Sequence, residues 1–295
     1  MEKNIIDLHM HTLYSDDGEF SPSELIKLCK DAGIKIAAIA DHNSVKAVEE
    51  AVREGEKNAI TVIPAIEIDC IYEGVNLHLL GYYIDPKFQR FYELEEDILR
   101  QEQAASPKRV ELIQKAGIYV NLDKIKNLSK DGVITGEMIA ESSLYEPENK
   151  DNDLLKPYLS GGSRSDNPYV NFYWDFCAQG KIAYAHVNYI SLEEAISIII
   201  QSGGIPILAH PGKNVHEDKK LLSGIMSQGV KGMEVYSSYH TPEQILFYRK
   251  ETEDLGALMT CGSDFHGKIK PSIKLGDCKC DKDTETQIIR DFVRA

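Results

Sequence analysis

Basic residues are in short supply in this chain. Its 295 residues carry 33 Lys and Arg against 47 Asp and Glu, a formal net charge of −14. That deficit argues against a basic groove that tracks a long nucleic acid. It leaves room for a small anion, provided that bound cations supply the local positive charge. No apolar run approaches the ~18 residues of a membrane span, so no membrane segment is expected. Met1-Glu2-Lys3-Asn4 leads straight into an apolar stretch with no signal-peptide hydrophobic region, which predicts a cytoplasmic protein. The six cysteines, Cys29, Cys70, Cys177, Cys261, Cys278 and Cys280, are scattered and mostly lie in apolar surroundings, which favours reduced thiols over a disulfide framework. Cys278-Lys279-Cys280 has no partner pair and is read as surface thiols, not as a zinc site. No internal repeat is visible.

The apolar content of 42% is enough for a sizeable core, and the length suits one large α/β barrel or two domains. Short apolar runs predict strands at 4–8, 35–40, 60–66, 75–83, 182–186, 205–209, 232–236 and 257–261. Between them, three Ser/Thr-x-x-Glu/Gln patterns mark helix starts: Ser21-Pro22-Ser23-Glu24, Ser191-Leu192-Glu193-Glu194 and Thr241-Pro242-Glu243-Gln244. Further helices are expected at 44–58, 219–228 and 284–294. Glu73-Gly74 reads as a hairpin turn. From 86 to 180 the pattern turns helical, charged and irregular: two helices broken near Pro107, short helices at 122–128, 137–142 and 169–179, and a polar loop over 151–168. This stretch reads as an inserted, mainly helical subdomain between two barrel segments, 1–85 and 181–295. Alternating strands and helices imply parallel pairing, and unbroken apolar strands fit burial on both faces.

The chemistry concentrates at strand ends. His9 and His11 alternate in one strand, so their imidazoles share a face. Asp16 follows in the next loop. His42, Glu67, His210, Asp264 and His266 also fall at or just past the C-terminal end of an apolar strand, and His78 lies on the hairpin strand beside Glu67. In a parallel barrel all these ends open onto one face. A lone strand-end histidine is ordinary; the same register in five strands predicts a multi-metal site. Imidazole and carboxylate without thiolate suit zinc, manganese or iron.

The motifs His9-x-His11 with Asp16, Asp41-His42, Glu67 with His78, and Asp264-x-His266, with His210 beside them, resemble the polymerase and histidinol phosphatase (PHP) superfamily over 1–85 and 182–276. The resemblance implies a distorted, TIM-like (β/α)7 barrel with three divalent metals per chain. One metal would take His9, His11, Glu67 and Asp264. A second would share Glu67 and add His78 and His210. A third would take Asp16, His42 and His266. The stretches 203–211, 232–236 and 240–244 are similar to bacterial phosphoesterases with an inserted helical domain, which hydrolyse AMP, nucleoside 3′,5′-bisphosphates or short oligonucleotides. Members often carry a phosphate-binding arginine where this chain reads Thr135-Gly136-Glu137-Met138-Ile139-Ala140.

The expected activity is therefore hydrolysis of a small phosphomonoester, a nucleotide first, by attack of a metal-bridging hydroxide on phosphorus. Histidinol phosphate and short oligonucleotides cut from the 5′ end are the alternatives within that class, and a non-catalytic metal-binding module is the alternative outside it. Around the metals, His240 is read as a phosphate ligand or proton donor and Asp264 as catalytic as well as ligating. His186 and Arg164 are candidate phosphate contacts, each set against a plain surface role. Asp41 is read as orienting a ligand. The aromatic group Phe172, Tyr173, Trp174 and Phe176 is read as core packing.

Overall fold

The computed structural model describes residues 4–293. Seven strands form a nearly closed barrel: β1 (Ile6–Met10), β2 (Ile36–Ile39), β3 (Thr61–Tyr72), β4 (Val75–Tyr82), β6 (Ile205–Leu208), β7 (Gly232–Ser237) and β8 (Leu258–Gly262), hydrogen-bonded in that order. A two-residue strand, β5 (Ile190–Ser191), pairs with the far end of β3. The barrel closes through a parallel bridge between Met10 and Phe265. There Asp264 N donates to His9 O at 2.8 Å and His11 N to Phe265 O at 3.0 Å. All neighbours are parallel except β4, which runs antiparallel to both β3 and β6.

That exception is written at Glu73-Gly74. Both residues have positive φ, 47° and 80°, the geometry of a two-residue hairpin turn that matches strand twist. The helices follow their caps. Pro22–Ala32 opens on a reciprocal box between Ser21 and Glu24 and ends at Gly33, φ 87°. Pro242–Leu255 opens on the Thr241–Gln244 box and ends at Gly256. At Leu192–Gln201 only half of the expected box forms: Ser191 accepts from Glu194 N, while the Glu194 carboxylate pairs with Arg90 instead. Expected at 44, the second helix begins at Val48.

Three expectations change. The run 182–186 is not a strand. Turn hydrogen bonds tie Ala183 N to Phe176 O and Tyr184 N to Lys181 O, and β4 pairs directly with β6, leaving no place between them. Pro107 does not break its helix, which is continuous over Gln89–Lys115. Proline costs that turn one backbone bond; burial of Ile98, Val110 and Ile113, with Ser106 Oγ donating to Glu102 O, offsets the loss. Cys278 and Cys280 are buried, not surface thiols, and Cys278 Sγ donates to Ile6 O across the barrel wall.

The main core packs around the strands. A second apolar cluster, running from Val110 to Ala183 through Ile113, Ile139, Leu155 and Phe172, gives the segment after β4 a core of its own. Lys130 in this segment donates to the carbonyls of Leu13, Ser15 and Gly18, and Lys268 pairs with Glu141, so the segment is tied down over the C-terminal rim of the barrel. No helix among the described residues is long and apolar enough to cross a membrane.

Candidate metal centre

Glu67 stands at the middle of the rim, fully buried on β3. Its Oε2 lies 3.1 Å from His9 Nε2, 3.3 Å from His11 Nε2 and 3.2 Å from His42 Nδ1. Its Oε1 lies 3.0 Å from both His78 Nδ1 and His210 Nε2. Asp264 Oδ1 lies 3.1 Å from His11 Nε2 and 3.5 Å from His9 Nε2. The ligands arrive from several strands, His9 and His11 at the end of β1, His78 on β4 and Asp264 and His266 both following β8, as the alternation of β1 and the barrel allow. The side chains fall into overlapping groups whose donor atoms lie within 4.8 Å of one another: His9, His11, Glu67 and Asp264; Glu67, His78 and His210; His11, Asp17, His42 and His266; and His42, Asp69 and His78.

The hydrogen-bond bookkeeping favours cations at these points. His9 Nδ1 lies 3.0 Å from Glu234 Oε1, which holds its proton there and makes Nε2 the nitrogen available to a cation once its own proton is displaced. His11 Nδ1 lies 2.9 Å from Ser15 Oγ, which itself donates to Asp41, and the same tautomer follows. His9 Nε2, His11 Nε2, His42 Nδ1, His266 Nε2 and Glu67 Oε2 are all buried with no hydrogen-bond partner. Lone pairs aimed at one another from about 3 Å repel unless a proton or a metal ion stands between them. The donor set fits a cluster of divalent ions.

Neighbouring groups orient these rings, as outer partners of metal ligands do. Glu234 also accepts from His210 N through its second oxygen at 2.9 Å. Asp69, held by Asn43 Nδ2 at 2.7 Å, lies 3.3 Å from His78 Nε2. His266 Nδ1 donates to Asp264 O. Two of the candidate ligands sit in the left-handed region, His210 at φ 22° and Asp264 at φ 56°, which non-glycine residues adopt only where surrounding structure enforces it.

The charges are strongly coupled. Burial alone would lower the His9 imidazole, but Glu67, Glu234 and Asp264 hold it well above the usual histidine range. His11 is driven well below that range by burial and by the neighbouring His266 and His42. Glu67, despite burial, is held well below the carboxylate range by His9, His42 and His78. For Asp264, burial opposes ionisation, but Lys270, His266 and His9 keep it charged. Metal ions entering such a site displace the protons on the imidazoles, so affinity rises with pH.

The structure brings His9, His11, His42, Glu67, His78, His210, Asp264 and His266 together. It does not place Asp16 among them. Asp17 Oδ2 is the carboxylate oxygen 3.2 Å from His266 Nε2, while Asp16 faces the cavity with its carboxyl raised to about 7 by burial, Glu102 and Asp17. The reason is the tight loop after β1. Ser15 N bonds Thr12 O and Gly18 N bonds Ser15 O, and a Cβ on Gly18 would fall 1.8 Å from Thr12 O. Counting along an extended chain misses by one residue there.

Three further residues are corrected. His240 has both ring nitrogens engaged, Nδ1 with Val235 O at 2.8 Å and Nε2 with Gly212 N at 3.0 Å, so it braces the backbone after His210 and offers no free nitrogen to a phosphate. His186 is exposed, lies 2.9 Å from Asn188 Oδ1 and lines a separate surface hollow. Arg164 is held by Asp175 through two bonds of 2.9 Å. The aromatic group divides: Phe172 and Phe176 are core, whereas Tyr173 and Trp174 line the cavity. Sequence reasoning missed Asp17, Asp69, Glu234 and Lys270. Glu234 had a signal, a lone carboxylate inside the wholly buried strand β7. Asp69 had another, two residues after Glu67 and on the same face of β3.

The rim opens into a cavity of about 480 Å³, roofed by the segment after β4 through Glu137, Tyr173 and Trp174. Buried Lys270 lies against Asp264 and 4.9 Å from the Tyr239 ring centroid.

The PHP domain family matches this chain over residues 7–202. A 5′-3′ exoribonuclease of Haemophilus influenzae is 29% identical over 271 residues, 88% of this chain and 89% of that protein. A 3′,5′-nucleoside bisphosphate phosphatase of Chromobacterium violaceum is 24% identical over 268 residues, 88% of this chain and 87% of that one. Among solved structures, an amidohydrolase from Chromobacterium violaceum with bound sulfate and no metal superimposes with a TM-score of 0.74 at 23% identity, over 91% of this chain and 90% of its own, which supports the barrel assignment.

Proposed function

The chain belongs to the PHP domain family, and from that premise we propose that it is a metal-dependent phosphoesterase that removes phosphate from a nucleotide. The observation that carries the reading is the knot around Glu67: five imidazole nitrogens within 3.3 Å of one carboxylate, several buried without a hydrogen-bond partner. Such a donor set suits divalent cations. His9, His11, Glu67 and Asp264 would hold one, Glu67, His78 and His210 a second, and Asp17, His42 and His266, with His11 beside them, a third. Bound divalent ions supply an activated water and neutralise charge on the phosphoryl group.

The chain's own residues do the rest. Glu234, the Ser15–Asp41 pair and Asp69 fix the imidazole tautomers. Lys270, buried beside Asp264, adds a fixed positive charge at the cavity wall where phosphate oxygens would lie. The segment 86–180, which we treat as an inserted domain, roofs part of the cavity. Support for a nucleotide comes from the named phosphatase relative, and the cavity of about 480 Å³ has room for one.

A second reading, stepwise cleavage of short oligonucleotides from the 5′ end, is supported by the exoribonuclease relative. Purified protein loaded with manganese should release phosphate from a nucleotide panel, and His9→Ala and Asp264→Ala should abolish release. A ladder assay on 5′-phosphorylated oligomers separates the two readings. Undiminished hydrolysis in both variants would refute the site.

A further inference from the structure

A second cavity, of about 290 Å³, adjoins the first and shares Asp69, His78, Tyr173 and Trp174 with it. On its wall stands Lys213, three residues beyond His210 in the short helix Pro211–Asn214. Its ammonium lies 4.4 Å from the Trp174 ring centroid and 4.7 Å from that of Tyr239. The Tyr239 ring in turn packs 5.5 Å from the His210 imidazole. One aromatic ring therefore separates this ammonium from a candidate metal ligand.

Its neighbours are cations with carboxylates of their own. Lys270 has Asp264, and Arg164 has both oxygens of Asp175. Lys213 has no close ion pair: among the described residues its ammonium faces two aromatic rings, and Asp175 and Asp264 act on it only from farther away. Burial, then Lys270 and Arg164, pushes this half-buried ammonium down to about 8 against the pull of Asp175 and Asp264. Lys181 lines the same hollow and likewise has no carboxylate paired with it. Two lysines without close ion pairs therefore line one opening.

We propose that Lys213, backed by Lys181 and framed by Trp174 and Tyr239, binds a second phosphate group of the substrate while the first lies at the cation cluster. The substrate would then carry two phosphates within one nucleotide's reach. Two sources share that chemistry: the second phosphate of a nucleoside bisphosphate, and the next phosphodiester of a short oligonucleotide. The inference rests on the phosphoesterase reading above for its first phosphate, but its own test does not need turnover.

Trp174 is the chain's only tryptophan, so intrinsic fluorescence reports on the ring beneath Lys213. Wild type, Lys213→Met and Lys213→Arg are titrated with AMP, adenosine 3′,5′-bisphosphate and the dinucleotide pApA. Wild type should bind the bisphosphate or the dinucleotide more tightly than AMP. Lys213→Met, which keeps the length and apolar packing, should weaken that ligand about tenfold or more and AMP little, the loss expected for one charge-assisted contact. Lys213→Arg should recover most of the difference. Loss confined to the bisphosphate identifies the first source, and loss for pApA the second. Equal loss for all three ligands, or none, overturns the proposal. If binding discriminates as expected while no ligand is hydrolysed with manganese, the subsite stands and the phosphoesterase reading falls.

Discussion

Removing the charge of Lys213 should make the protein more stable. The amine sits at about 8 against an ordinary 10.5. At 1.36 kcal/mol per pH unit, keeping it ionised in the folded state costs about 3 kcal/mol. Contacts with Trp174 and Tyr239 return about 1 kcal/mol, so Lys213→Met should gain about 2 kcal/mol at pH 7. The pH dependence identifies the cause. Below pH 8 the lysine is charged whether folded or unfolded, and the whole cost is present. Between about 8 and 10.5 the folded chain loses the proton first, so wild type gains stability as pH rises. The advantage of Lys213→Met should shrink across that window and be close to nil by pH 10. Thermal unfolding in the presence of a chelator, at pH 7 and pH 10, measures both ends; roughly 3–6 °C is expected at pH 7. No gain at pH 7, or a gain unchanged at pH 10, would refute the reasoning.

Three other outcomes are expected. Glu234→Gln leaves its size but weakens the hold on His9 Nδ1 and on His210 N, and should lower cation affinity about 10–100-fold in a metal-binding titration. Lys130→Ala frees the carbonyls of Leu13, Ser15 and Gly18; metal analysis should show weaker uptake by the group Asp17, His42 and His266, with faster amide exchange over 12–18 and uptake by the ligands around Glu67 retained. Gly262→Ala places a Cβ 2.2 Å from His9 Cβ and 2.5 Å from Glu234 Oε1; a denaturant melt should show a loss of about 3 kcal/mol or more, because neither neighbour can withdraw.

What could be read from the chain without coordinates was what depends on local pattern. Ser21 with Glu24 and Thr241 with Gln244 cap the helices they announce, because a cap is satisfied within four residues. His9 and His11 share a face because strand geometry alone decides it. Residues fixed by longer-range contacts were less legible. Asp17 rather than Asp16 depends on how tightly one loop turns. The 182–186 run looked like a strand, but its hydrogen bonds went to turns, and its apolar side chains scatter: Ala183 packs in the second core, Ala185 in the main one, and Ile182 is exposed. His240 sat at the expected rim, but Val235 and Gly212 had claimed its nitrogens. Pairing across 28 residues leaves no mark in local sequence.

Glu67 divides its two oxygens among five imidazoles. An ion taken up at either oxygen would therefore change what the other can offer. Loading curves should not separate into independent isotherms: the first arrival sets the carboxylate's pose for its neighbour and also repels it. Partly filled protein would then be a mixture with its own mean stoichiometry, and preparations that differ in metal history should differ in behaviour although their polypeptide is the same.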